Sequence, residues 1–199
     1  MRKLLLAALL SLPCAALADT YTYFWNEAEG STILGYRFNN AANFGWDFYQ
    51  GDLRCYYSNA AVPGEADFLL AVVTDLRPQD EVSVSASTWS CYIGDLMYLA
   101  GYLGDGSLNF SSSPGSYPGL IFSVLGDFHD EIYSGPLLVP SGYTGLGVCL
   151  RFYHRHGAMS WFMIDHLTIN YPEHARLILP SQVVASESMT WGNLKALYR

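Results

Sequence analysis

The sequence predicts an all-β sandwich, on three observations. Short apolar and aromatic runs recur along the chain, separated at brief intervals by clusters of glycine, proline, asparagine and serine. Residues 81–89 alternate cleanly: Val82, Val84 and Ala86 fall on one side and Ser83, Ser85 and Ser87 on the other, as on a strand half-buried against a core. Helical periodicity hardly appears before the C-terminus.

Strands are expected at residues 20–25, 32–38, 46–49, 53–57, 68–74, 81–89, 96–103, 120–125, 137–139, 147–154 and 160–170. The breakers between them include Asn39-Asn40, Pro63-Gly64, Arg77-Pro78, Gly104-Asp105-Gly106, Pro114-Gly115 and Ser141-Gly142, residue types that set tight turns. This spacing is that of a sandwich. Residues 111–119, rich in Ser, Pro and Gly, read as an exposed loop, and no internal repeat is found.

The two ends read differently from the middle. Arg2 and Lys3 precede an apolar run to Leu12, and Ala16-Leu17-Ala18 gives an A-x-A cleavage site, so residues 1–18 are expected to be a signal peptide and the mature chain to start at Asp19. The apolar run is shorter than the roughly 20 residues a membrane span needs, so no transmembrane segment is expected after cleavage. Secretion, to the periplasm, the cell surface or beyond, follows. Cleavage removes two basic residues and no acid, so the net charge of −8 becomes −10. Nucleic acid is therefore excluded as a partner, because its binding rests on lysine and arginine neutralising phosphates. Residues 19–171 suit one domain, and residues 172–199 read as a linker and a short helical tail. In that tail Thr190 is an N-cap, and Trp191, Leu194 and Tyr198 share a face. So short a helix must dock, either on its own sandwich or on an export or attachment partner.

Cys55, Cys91 and Cys149 survive cleavage. Export favours oxidation, so one disulfide is expected, with Cys55–Cys91 preferred among the three pairings. The alternative is three buried thiols acting as small hydrophobes.

For chemistry, the final strands are the most informative. If residues 147–154 and 160–170 form one hairpin turning at Gly157-Ala158, Leu150 faces Asp165. Val148, Leu150, Phe152 and His154 then share the buried face, while Cys149, Arg151, Tyr153 and Arg155 face solvent. Asp165 points inward with Leu167 and Ile169, where a carboxylate must be paired, hydrogen-bonded or metal-bound. His154 and His156 belong to the sheet rim, and residues 127–131 to a solvated loop. No G-x-S-x-G elbow and no phosphate-binding glycine loop occur.

The ending Trp161-Phe162-Met163-Ile164-Asp165-His166-Leu167-Thr168-Ile169 is similar to the W-Y-I-D-D-V-x-V close of jelly-roll domains, including carbohydrate-binding modules and MAM-like adhesin domains. The similarity extends over residues 66–169, through Asp67-Phe68-Leu69, Leu76, Val82-Ser83-Val84 and the 97–102 segment. It implies a jelly-roll β-sandwich of two antiparallel sheets and a structural calcium ion held by the last-strand Asp and an N-terminal Glu. Here those positions are Asp165 and Glu27 or Glu29, while the family's second Asp is His166. Calcium takes six to eight oxygen ligands, so backbone carbonyls have to complete the shell. The tail resembles short W-G-x-[IL]-K endings of secreted bacterial proteins.

The fifteen tyrosines and five tryptophans exceed what one core of this size needs. Flat aromatic faces suit sugar rings, and Trp89, Tyr98 and Tyr102 are the expected carbohydrate-binding trio. The expected function is a secreted, non-catalytic binding or adhesion domain whose partner is a glycan or a cell-surface protein. The alternatives are a structural protein anchored through its tail and a hydrolase with an unrecognised site.

Overall fold

Two antiparallel sheets pack face to face in a jelly-roll sandwich. The computed structural model describes residues 18–25, 33–38, 44–57, 63–90, 96–105, 120–125, 129–154 and 160–180. In the first sheet β12 (Ser160–Pro172) pairs with β6 (Glu81–Ser90) on one side. On its other side it pairs with β4 (Asp52–Tyr57) along its first half and with β1 (Ala18–Phe24) along its second. Beyond β4 lies β3 (Phe44–Tyr49), and β9 (His129–Tyr133) and β10 (Leu137–Leu138) share the far side of β6. In the second sheet β11 (Gly145–His154) runs between β5 (Gly64–Thr74) and β7 (Leu96–Gly104). Strand β8 (Leu120–Leu125) lies beyond β7, while β2 (Gly35–Phe38) and β13 (Arg176–Ile178) divide the far side of β5.

The core fills the space between the sheets. From the first sheet come Leu53, Cys55, Tyr57, Val82, Val84, Ala86, Phe162, Ile164, Leu167 and Ile169; from the second, Ala66, Phe68, Leu70, Leu99, Leu146, Val148, Leu150 and Phe152. These residues alternate along their strands, so period 2 carries one set inward and its neighbours outward. Fully burying each large side chain contributes roughly 1.5–3 kcal/mol. The alternation expected at 81–89 is present, with its valines and Ala86 in the core.

Every strand expected from the sequence is found, and two more appear. Strand β9 occupies part of the stretch read as a solvated loop, with Ile132 buried between exposed Glu131 and Tyr133. Strand β13 extends the second sheet past residue 171. Both are short strands on the outer sides of longer ones, where pairing with a neighbour supplies the order that their own sequence does not signal.

The expected hairpin is corrected. Strands β11 and β12 lie in opposite sheets, each flanked on both sides, so Leu150 faces Phe68 and Leu99 rather than Asp165. The predicted solvent face of β11 is also corrected. Cys149 belongs to a second apolar cluster on the outer face of the second sheet, with Leu34, Leu69, Val72, Ala100, Tyr102 and Ile178. On the same face Arg151 is buried against Asp67. His154 is buried as well, stacked on Tyr57 of the other sheet at 3.8 Å between ring centroids.

The Cys55–Cys91 disulfide is corrected too: Cys55 is a free, fully buried thiol on the core face of β4. Strand β12 separates it from β6, where Phe162 pairs with Cys55 on one side and Ser90 on the other. Cys91, residues 1–17 of the expected signal peptide, and the expected tail helix lie outside the described residues. Among the described residues no helix is long and apolar enough to cross a membrane.

Candidate functional site

The outer face of the first sheet carries a strip of half-exposed aromatic side chains around one ion pair. Because Leu53, Cys55, Tyr57, Phe162 and Ile164 point into the core, alternation turns Arg54, Tyr56, Trp161 and Met163 outward. On the flanking strands the same rule turns Gly45, Asp47 and Tyr49 outward on β3, and Trp89 outward on β6. Cross-strand register aligns these in rows: Gly45–Tyr56–Trp161, and Asp47–Arg54–Met163–Trp89.

Gly45 gives the strip its floor. A Cβ at this position would sit 2.6 Å from the Tyr56 hydroxyl oxygen and 2.7 Å from its Cζ, so the Tyr56 ring lies down over the glycine backbone. Beside it, Trp161 and Trp89 meet edge to face, with centroids 5.0 Å apart and planes at 77°. The result is a flat ring next to an indole corner. Met163 is buried between Arg54 and Trp89 although it points outward.

Arg54 and Asp47 form a bidentate pair, Nε donating to Oδ1 at 2.7 Å and Nη2 donating to Oδ2 at 2.5 Å. The guanidinium also sits 4.6 Å from the Tyr49 ring centroid and 5.5 Å from that of Tyr56. The hydrogen bond with Asp47 holds the Arg54 pKa above its ordinary value. Along the strip, Asp52 is pushed above the usual carboxylate range, first by burial and then by the charge of Asp165.

The expected carbohydrate-binding trio is not assembled. Trp89 belongs to this strip, whereas Tyr98 and Tyr102 lie on β7 in the other sheet. Tyr102 is only 3 % exposed, and Tyr98 packs edge to face on Tyr153 at 5.6 Å. Strands β6 and β7, adjacent in sequence, lie in opposite sheets. The strip's other members carried a signal, since Arg54 and Tyr56, like Trp161 and Met163, alternate with apolar core residues.

Asp165 is corrected from inward to outward. A β-bulge lies between Ile164 and His166, so Ile164 and Leu167 both face the core while Asp165 and His166 turn to the outer face. The Asp165 side chain is 55 % exposed, with Oδ2 2.9 Å from His166 Nδ1, and its backbone carbonyl accepts from the Trp25 N–H at 3.3 Å. Glu131 lies 3.5 Å from the other imidazole nitrogen. Among the described residues no three His, Cys, Asp or Glu side chains converge as a metal-binding set. Glu27 and Glu29 lie outside the described residues.

A second polar group is structural in character. On the outer face of the second sheet, Asp67 receives Arg37 Nη2 at 2.8 Å and Arg151 Nε at 3.1 Å, all three buried. Burial pushes the Asp67 pKa up to about 6 against the opposing pull of both arginines. Burial also pushes the Cys55 and Cys149 thiols well above their ordinary range.

No family model matches the sequence, and no curated protein matches it. Several solved structures are similar to it. The carbohydrate-binding module TmCBM61, solved with β-1,4-galactotriose, is 11 % identical; the match covers 74 % of this chain and 97 % of that one, with a TM-score of 0.43. The K1 cleaved adhesin domain of Lys-gingipain from Porphyromonas gingivalis is 12 % identical over 76 % of this chain and 97 % of that one, with a TM-score of 0.42. A family 11 carbohydrate-binding module of a Clostridium thermocellum cellulosomal cellulase is 11 % identical over 76 % and 86 %, with a TM-score of 0.31.

Proposed function

We propose that the protein is a secreted, non-catalytic domain that binds a glycan on the outer face of its first sheet. The observation that carries this reading is Tyr56 lying flat over Gly45 beside the Trp161–Trp89 corner. Sugar rings present C–H groups to aromatic faces and hydroxyls to polar rims. Here the aromatic floor adjoins a polar rim of Asp47 and Arg54. Those two charged groups hold each other, which suits binding rather than proton transfer. Export rests on the N-terminal charged, apolar and small-residue segments in order.

The test is a glycan array followed by calorimetry on the full chain, with Trp161→Ala and Tyr98→Ala as paired variants. Binding that Trp161→Ala abolishes and Tyr98→Ala spares supports this face. Binding lost with Tyr98→Ala alone moves the site to the other sheet, and an empty array removes the glycan reading. Turnover on ester and glycoside panels would remove the non-catalytic reading. A calcium ion at Asp165 would need Glu27 or Glu29 and backbone carbonyls; this part of the reading depends on melts with calcium and with chelator, because a bound ion raises stability by mass action.

A further inference from the structure

We propose that the aromatic strip selects an uncharged saccharide, with the Asp47–Arg54 pair acting as its charge filter. This inference rests on the glycan reading above and names the ligand class of the same face. The position a cationic ligand would seek, against the Tyr49 and Tyr56 rings, already holds the guanidinium of Arg54. An ammonium sugar therefore finds that place already filled. An anionic sugar meets the opposite obstacle. Arg54 gives Nε and Nη2 to the Asp47 carboxylate, so its charge is neutralised before any ligand arrives. The next carboxylates along the face are Asp52 on β4 and Asp165 on the β12 bulge, close enough that the Asp165 charge acts on Asp52.

What the pair still offers matches hydroxyl chemistry. Its side chains are 27 % and 39 % exposed for Arg54 and Asp47, so both are reachable from solvent. The guanidinium keeps N–H donors beyond the two it gives to Asp47, and the carboxylate keeps lone pairs beyond the two it uses. A sugar hydroxyl both donates and accepts, and so can bridge the two groups. A carboxylate or sulfate only accepts, and an ammonium only donates, so each leaves one half of the pair unmatched.

The test compares the full chain on three ligand sets of equal length: neutral hexose oligosaccharides, oligogalacturonates and glucosamine oligomers. The expected result is neutral-sugar affinity at least about tenfold above either charged set, the scale of one charge-assisted hydrogen bond. Two variants then shift the filter in opposite directions. Asp47→Asn frees the Arg54 charge and raises uronate affinity relative to neutral sugar, whereas Arg54→Gln frees the Asp47 charge and raises glucosamine affinity. Equal wild-type affinity for all three sets, or preference ratios unmoved by both variants, overturns the filter while the glycan reading stands, provided Trp161→Ala still abolishes binding. No binding to any set, or binding indifferent to Trp161→Ala, overturns both.

Discussion

The Tyr56 ring rests on Gly45, with the tyrosine hydroxyl oxygen 2.6 Å from where a methyl group at that glycine would stand. Gly45 is thus a positioning residue for the aromatic floor. Gly45→Ala should lift Tyr56 and weaken the proposed sugar binding about tenfold, with a stability change of about 1 kcal/mol because the clash is with a movable side chain. Calorimetry, with near-UV circular dichroism for the aromatic environment, checks this. Unchanged affinity with an unchanged aromatic spectrum would show that the ring does not depend on the glycine.

Asp67 links folding to pH. Its folded pKa of about 6 lies above the ordinary carboxylate value of 3.8, chiefly through burial. Between those values the native protein holds a proton that the unfolded chain has released. The contribution of this group is therefore greatest below about pH 4 and falls as pH rises through 6, by up to ~3 kcal/mol. Urea denaturation from pH 4 to 7 reads the slope, Asp67→Asn should flatten it, and carbon NMR of the Asp67 carboxyl follows the titration directly. A carboxyl resonance that titrates at or below 3.8 would contradict the mechanism.

Cys55 and Cys149 are buried free thiols with raised pKa values, so both are protonated and shielded at neutral pH. Neither should react with a thiol reagent until the protein is unfolded. Mass spectrometry of labelled peptides before and after denaturant is the measurement, and a Cys55–Cys91 cross-linked peptide under non-reducing conditions would refute the free-thiol assignment.

Asp165 on its bulge is exposed and bonded to His166. Asp165→Asn should therefore change stability by less than about 1 kcal/mol, as an exposed pair does. A loss of 3 kcal/mol or more would belong to a buried or metal-bound carboxylate. The same variant melted with calcium and with chelator separates those two causes.

Strand existence was legible because alternation is local. The serines and valines of β6, or Arg54 and Tyr56 among the core residues of β4, declare their faces within a few positions. Asp165 shows where that logic breaks. Leu167 and Ile169 face the core, and counting back by two places Asp165 inward, but one bulge residue shifts the phase. Bulges come from pairing with a neighbour, here β6, and that neighbour is distant in sequence. Strand β9 was missed for the same reason, its order coming from its pairing with β6.

The strip itself joins residues from β3, β4, β6 and β12, between 45 and 163 in sequence. By itself, the sequence determined the all-β class, the strand positions, the acidic charge and the aromatic surplus, since these follow from composition and short-range period. Only the tertiary structure decided that Trp89 meets Trp161 and shares a sheet with Tyr56 rather than with Tyr98 and Tyr102, because sheet membership depends on pairing across the whole sandwich. The physical reason is that β11 and β12 each pair on both sides within separate sheets and turn their alternate apolar residues into the shared core, and no local pattern records those distant partners.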